Sequence, residues 1–232
     1  MDTGKIGYNI VIKGEVPGII MNSLAMLGTD KARTMSKDEE AESVSYRLPS
    51  SKQFPKGELY MPSEWFRAAV LKTSSNVWKM SIAGKKQNVK GWLAGTAFFE
   101  PEQIGLGIED FETYVVPAVR GLGRVLIARP RIYPWEVKFQ ITFSDSDPLY
   151  GQIALGLNPI MKKMIQEAMI KVGLGDNRPG SPKKPGIHGR ANVISCELFG
   201  ITQPQEKPKV AKKTKVAKKT KAVKKAKNEI AA

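Results

Sequence analysis

Residues 158–201 read NPIMKKMIQEAMIKVGLGDNRPGSPKKPGIHGRANVISCELFGI. A helix, a glycine-rich loop and a strand follow one another there. Asn158 is placed to cap and Pro159 suits a first helical turn, while Ile160, Met164, Ile165, Ala168 and Val172 recur at helical spacing. The pattern therefore predicts an amphipathic helix over 158–172, stopped by Gly173. ANVISCELFGI then predicts the closing strand. Just upstream, WEVKFQITFS at 135–144 puts Val137, Phe139, Ile141 and Phe143 on one face and Glu136, Lys138 and Gln140 on the other, the period of a half-buried strand. Strand, helix and strand make one half of an α+β fold.

The N-terminal half repeats the theme. KIGYNIVIKGEV at 5–16 alternates apolar and polar residues and predicts a first strand. PGIIMNSLAML follows as a short helix or a second extended piece. Ser63, after Met61-Pro62, is placed to cap a helix running through EWFRAAVLKTSSNVWKM, with Phe66, Ala69, Val70 and Val77 at helical spacings. GKKQNVKGWL supplies a basic turn and a short strand, 95–112 is irregular, and TYVVPAV at 113–119 and GRVLIAR at 123–129 predict further strands. Two β–helix–β halves of this kind suit an α+β, ferredoxin-like core with insertions, spanning residues 1–203. Residues 28–57 are polar, mixed in charge and poor in apolar side chains, and read as a flexible insertion.

Charge separates the body from its extension. The 232 residues carry a formal net charge of +15. Residues 207–232 hold 11 Lys against a single acid, Glu229, so ten of those charges lie there. VAKKTK, VAKKTK and AVKKAK repeat over 210–227, and the stretch 204–232 reads as a disordered Lys/Ala-rich tail with too little apolar surface to fold alone. Lys212, Lys213, Lys218 and Lys219 are its densest cations. Each lysine laid on a phosphate would release a counterion, without geometry to select a base. The tail resembles the lysine/alanine-rich tails of linker histones and bacterial histone-like proteins. One cysteine, Cys196, excludes an internal disulfide. The N-terminus lacks a signal-peptide pattern and no apolar run suits a membrane span, so a cytoplasmic location is expected.

Two body segments concentrate the chemistry. Gly57-Glu58-Leu59-Tyr60-Met61-Pro62-Ser63 runs into the helix that carries Arg67. Gly173-Leu174-Gly175-Asp176 leads to Arg178, Lys183, Lys184, His188 and Arg190. Glycines there free the backbone to expose N–H groups, and amides with cations suit a phosphate. The competing reading is a tight helix-to-strand connection with solvated cations. These segments resemble motifs of the RAMP superfamily, the CRISPR effector backbone proteins, and of uncharacterised phage proteins ending in a similar Gly-Leu-Gly-Asp, Arg-Pro, Gly-Arg stretch. The loop here is longer than that family's usual turn by SPKKPGIH. The resemblance implies a ferredoxin-like core that binds single-stranded RNA or DNA along its backbone and assembles on it as a homo-oligomer or beside other effector subunits.

A further cluster, Arg120, Arg124, Arg129 and Arg131 with Tyr133 and Trp135, interleaves cations with aromatics as unpaired bases require. The plainer reading makes Trp135 core. Trp78 and Trp92, near Lys79, Lys85, Lys86 and Lys90, offer the same choice. One histidine and one cysteine exclude a Cys/His zinc site, and no phosphate-binding GxxxxGK[ST] or dinucleotide GxGxxG motif is present. Asp145 with Asp147, or Glu109 with Asp110, would suit Mg²⁺, although such pairs more often form turns. The expectation is a nucleic-acid-binding protein without cofactor or metal. The interface would comprise Arg178, Arg190, Lys183, Lys184 and His188, then Arg120, Arg124 and Arg67, with Gly173 and Gly175 shaping the loop. A metal-dependent nuclease of the same fold, or a phage structural protein that condenses DNA, are the competitors.

Overall fold

The computed structural model describes residues 5–21, 35–74, 78–82, 85–120, 123–143, 148–182 and 185–200. Its centre is a four-stranded antiparallel sheet of β1 (Ile6–Gly14), β6 (Ala97–Glu100), β10 (Glu136–Phe143) and β11 (Ala191–Phe199), in the order β11-β1-β10-β6. The alternation read in the sequence sets the register. Tyr8, Ile10 and Ile12 oppose Ile141, Phe139 and Val137 and are buried with them, while Asn9 and Lys13 oppose Gln140 and Glu136 on the open face. Val11 and Ile12 mark a bulge in the pairing of β1 with β11.

Strands β1 and β6 both run antiparallel to β10, so they share a direction. Parallel partners cannot be joined by a tight turn, and the chain must cross over a face between them. That crossing contains α2 (Ser63–Thr73), and the matching one from β10 to β11 is α4 (Pro148–Lys171). The two helices pack on one another and on the sheet. Phe66 of α2 meets Phe139 at 4.7 Å between ring centroids. Along α4, Ile153, Ala154, Leu157, Met161, Met164, Ile165, Ala168 and Met169 are all fully buried. Each such large apolar side chain stabilises the fold by about 1.5–3 kcal/mol relative to exposure.

Around this core the chain adds strands in pairs. β3 (Tyr60–Pro62) pairs with β7 (Gln103–Gly105), and β4 (Lys79–Ile82) with β5 (Lys85–Asn88). The long hairpin β8 (Glu112–Arg120) and β9 (Gly123–Ile132) takes β2 (Ile19–Ile20) as a third strand. Two short helices, α1 (Lys37–Glu42) and α3 (Val89–Thr96), complete the described elements. Among the described residues no helix is long and apolar enough to cross a membrane.

Several elements differ from the sequence reading. Helix α4 begins ten residues before Asn158, with Pro159 inside it. An interior proline costs about 3 kcal/mol, but Ile153, Ala154 and Leu157 extend the buried stripe upstream, and their burial outweighs that cost. Helix α2 spans Ser63–Thr73 with Pro62 at its cap position, and Val77 lies outside the described residues. Ser63 is the first helical residue, its N–H bonded to the Glu102 carbonyl at 2.8 Å. Residues 89–96 form a helix where a short strand was read, and 97–105, read as irregular, hold β6 and β7. In the segment read as a flexible insertion, residues 28–34 lie outside the described residues. From residue 35 the chain forms α1 and then lays Val44 and Tyr46 into the interior.

Candidate nucleic-acid interface

The loop between α4 and β11 is held by its own backbone. Gly173, Gly175, Asn177 and Gly189 adopt φ of 67°, 69°, 52° and 71°, values that favour glycine or asparagine. The turns feed amides back into the protein. Gly173 N–H donates to Ala168 O, Leu174 N–H to Gly189 O, Asp176 N–H to Ile20 O, Gly180 N–H to Val172 O, His188 N–H to Asn177 O and Gly189 N–H to Gly18 O, all between 2.8 and 3.2 Å. Asn177 N–H donates to the Asp176 carboxylate at 2.8 Å. The sequence reading expected these glycines to bare their amides for a ligand, but most of the loop's N–H groups are already satisfied. The glycines serve close approach instead. A Cβ at position 175 would sit 2.3 Å from the Ile20 carbonyl oxygen, and one at 189 would sit 1.9 Å from that of Leu174.

Asp176 also bridges to Ile20, which pairs with Arg131, which pairs with Glu112. Loop, β2 and hairpin therefore form successive rungs. Arg131 donates to the Glu112 carboxylate from Nε at 3.0 Å and from Nη2 at 2.5 and 2.7 Å, and its guanidinium lies 4.8 Å from the Tyr114 ring centroid. Tyr114 in turn meets the His188 ring at 5.3 Å. His188 is only 3% exposed, with Nδ1 3.2 Å from Asn177 Nδ2. With Nδ1 accepting that bond, the ring proton lies on Nε2, which finds no hydrogen-bond partner. Burial, then the Arg131 charge, hold the imidazole below its ordinary pKa, opposed by Asp176. His188 thus locks loop to hairpin from inside rather than standing at the surface.

The remaining candidates separate in space. Arg178 folds back on the loop, Nη1 donating to Gly175 O at 2.9 Å. Arg190 precedes β11, and its carbonyl accepts from Glu15 N–H. Both are half-buried, both leave a buried Nε without a hydrogen bond, and among the described residues neither has a carboxylate within 4.0 Å. Arg67 lies elsewhere, in a groove of about 780 Å³ lined by Ser63, Phe98, Glu100 and Glu102. It donates to Ala94 O at 3.0 Å and pairs with Glu64 at 3.8 Å, so its charge is partly met. Arg120 and Arg124 occupy the last two rungs of the hairpin, opposite Gly123 and Val119. Lys183 and Lys184, and tail residues Lys212, Lys213, Lys218 and Lys219, lie outside the described residues.

Trp135 is core, at 3% exposure, its indole lying over Gly14 where no side chain intervenes, whereas Tyr133 is exposed. Glu109 and Asp110 engage Lys56, through its N–H at 3.2 Å and its ammonium at 2.9 Å. Asp145 and Asp147 lie outside the described residues. Among the described residues no three His, Cys, Asp or Glu side chains converge to hold a metal. The sequence reading passed over Tyr114 and Asn177. The signal for Asn177 was an Asx residue in a glycine-rich turn, but Tyr114 sits 74 residues from its partner His188 and carried no local sign.

No family model matches this chain, and no curated protein matches it. Among solved structures, a chain of the cryo-EM structure of the type III-B Cmr-beta bound to cognate target RNA is similar to it, with a TM-score of 0.48 and 11% identity. The likeness covers 84% of this chain and 61% of that one, so this chain spans about three fifths of that chain's length.

Proposed function

We propose that the chain is a non-catalytic nucleic-acid-binding module that holds a single strand by its phosphates. The reading is carried by Arg178 and Arg190, two guanidiniums with no carboxylate within 4.0 Å among the described residues, in a loop whose described backbone is largely hydrogen-bonded. A pinned cation costs a ligand little ordering entropy, and a guanidinium suits a phosphate's paired oxygens. The hairpin bearing Arg120 and Arg124 extends the contact, because Arg131, Tyr114 and His188 fix its base to the same loop. Lys183, Lys184 and the tail lysines would add affinity that ignores sequence. The core is read as ferredoxin-like, its strand order being fourth, first, third and second with both crossing helices packed together. Assembly along the strand is what the RAMP resemblance adds.

The test is filter binding of the full chain to single- and double-stranded RNA and DNA at two salt concentrations. Arg178→Gln with Arg190→Gln is expected to weaken single-strand binding and to lower the salt slope by roughly 1.4, about 0.7 for each phosphate that no longer meets a guanidinium. An unchanged slope would remove the loop from the interface. The tail's composition favours a second reading, a DNA-condensing structural protein, in which Arg178 and Arg190 bind nothing and duplex is retained as well as single strand.

A further inference from the structure

We infer that the ribbon β4–β5 and the adjoining face of α4 form a second, separate site for a nucleic-acid phosphate backbone. The inference rests on the reading above and adds a second point of attachment to it. The sequence from Trp65 to Phe99 contains no Asp or Glu and five cations besides Arg67. Lys79, Lys85, Lys86 and Lys90 are exposed on the ribbon and the helix after it, and Lys162 and Lys163 are exposed on α4. Among the described residues none of these six has a carboxylate within 4.0 Å. Lys163 lies 5.9 Å from the Trp78 ring centroid at the foot of the ribbon, and Lys162 donates to Ile194 O at 3.2 Å. Neither contact cancels a charge.

A solvated surface of this size usually mixes both signs, because like charges within a screening length of about 8–10 Å repel. Six uncompensated lysines on packed elements therefore point to an anionic partner that offers several charges in a row. The ribbon is also held in place. Two four-residue strands alone would be marginal, but Gly156 of α4 lets the ribbon sit so close that a Cβ there would be 2.7 Å from Ser81 O. Met80 is buried beneath it, and Val89 N–H donates to Trp78 O at 3.3 Å. Gly173 lies seventeen positions after Gly156, fifteen of them in α4, so ribbon and glycine loop stand about 25 Å apart along that helix at 1.5 Å per residue. That spacing suits one strand gripped at two points. An anionic membrane is the weaker fit: the ribbon's outward face pairs Lys79 with Asn88 and Ser81 with Lys86, and offers no large apolar side chain to insert.

The test uses the full chain and its variant Lys79→Gln/Lys85→Gln/Lys86→Gln. The probe is a dT oligomer of about 20 nucleotides, longer than the 4–16 that a small single-strand-binding fold occupies. Affinity is followed from roughly 50 to 200 mM salt, and lysine acetylation is mapped with and without the oligomer. The expected result is a salt slope lower by about 2, since each of the three neutralised lysines accounts for about 0.7, with Lys79, Lys85, Lys86 and Lys163 protected by the oligomer in the parent chain. An unchanged slope and unprotected lysines, while Arg178→Gln/Arg190→Gln still weakens binding, would overturn the second site and leave the proposed function standing. If neither variant changes the slope, both readings fall together. Loss of sedimentation with phosphatidylserine vesicles in the lysine variant, at unchanged oligomer slope, would assign the ribbon to a membrane and overturn the inference as well.

Discussion

His188 lies under Tyr114 and beside Asn177, and its burial has a direction in pH. Its folded pKa is lowered below 6.5, so the unfolded chain takes up the proton more readily than the native one. Above the unfolded pKa both states are neutral and the histidine adds no pH dependence. As pH falls through 6.5 the unfolded state is favoured, and the loss levels off below the folded pKa. Urea unfolding at a series of pH values should show stability falling in that window, and His188→Gln should flatten that part of the profile. An identical slope in parent and variant would mean that the imidazole titrates freely in the native state. The same residue shows how far the sequence could be read. Its loop was recognisable as a hub from its glycines and cations, but glycine content reports freedom of φ and not the carbonyl that will fill the space. Only the approach of Ile20 O to Gly175, and of Leu174 O to Gly189, reveals that the loop's amides face inward.

Elements with a clean period were legible, and elements fixed by distant contacts were not. Strand β10 followed its alternation from Glu136 to Ile141, since one face of an antiparallel sheet is buried and the other solvated, and departed from it only at the buried Thr142. The start of α4 was misplaced because Pro159 imitates a first-turn proline, and only its packing on α2 reveals ten helical residues upstream. Helix α1 was hidden by its polarity, although Ser36-Lys37-Asp38-Glu39 spells a capping box. Ser36 Oγ accepts from Glu39 N–H at 3.2 Å, and Glu39 Oε2 accepts from Ser36 N–H at 2.8 Å. With six residues, α1 depends on that cap and on Ala41 buried beneath it. Ser36→Ala should cost about 1 kcal/mol in chemical unfolding. It should also loosen the hairpin face that α1 covers, where Lys37 donates to Leu126 O at 2.8 Å and Asp38 accepts from Thr113 at 2.6 Å, read as faster amide exchange in β9. A loss below a few tenths of a kcal/mol would mean that tertiary contacts alone hold α1.

At the scale of the molecule, two-thirds of the net charge lies in the last 26 residues, while the body's 26 cations are nearly balanced by 21 acids. These two kinds of charge should give separable signatures. A run of lysines without fixed geometry for a base contributes to affinity through counterion release, so its effect scales with the number of lysines engaged and is blind to the shape of the strand. On the proposed reading, the guanidiniums of the loop and hairpin contribute less to the slope but discriminate, because they would meet phosphates only where the strand fits. Ending the chain after residue 206, just beyond the compact unit Met1–Ile201, should therefore lower the salt slope by up to about 8, roughly 0.7 for each of 11 lysines. The ratio of single-strand to duplex affinity should stay the same or rise. Filter binding of both chains to matched single-stranded and duplex oligomers measures slope and ratio together. If the ratio falls to one when the tail is removed, discrimination resided in the tail. A shortened chain that binds neither form at low salt would make the tail the sole contact and favour the condensing reading.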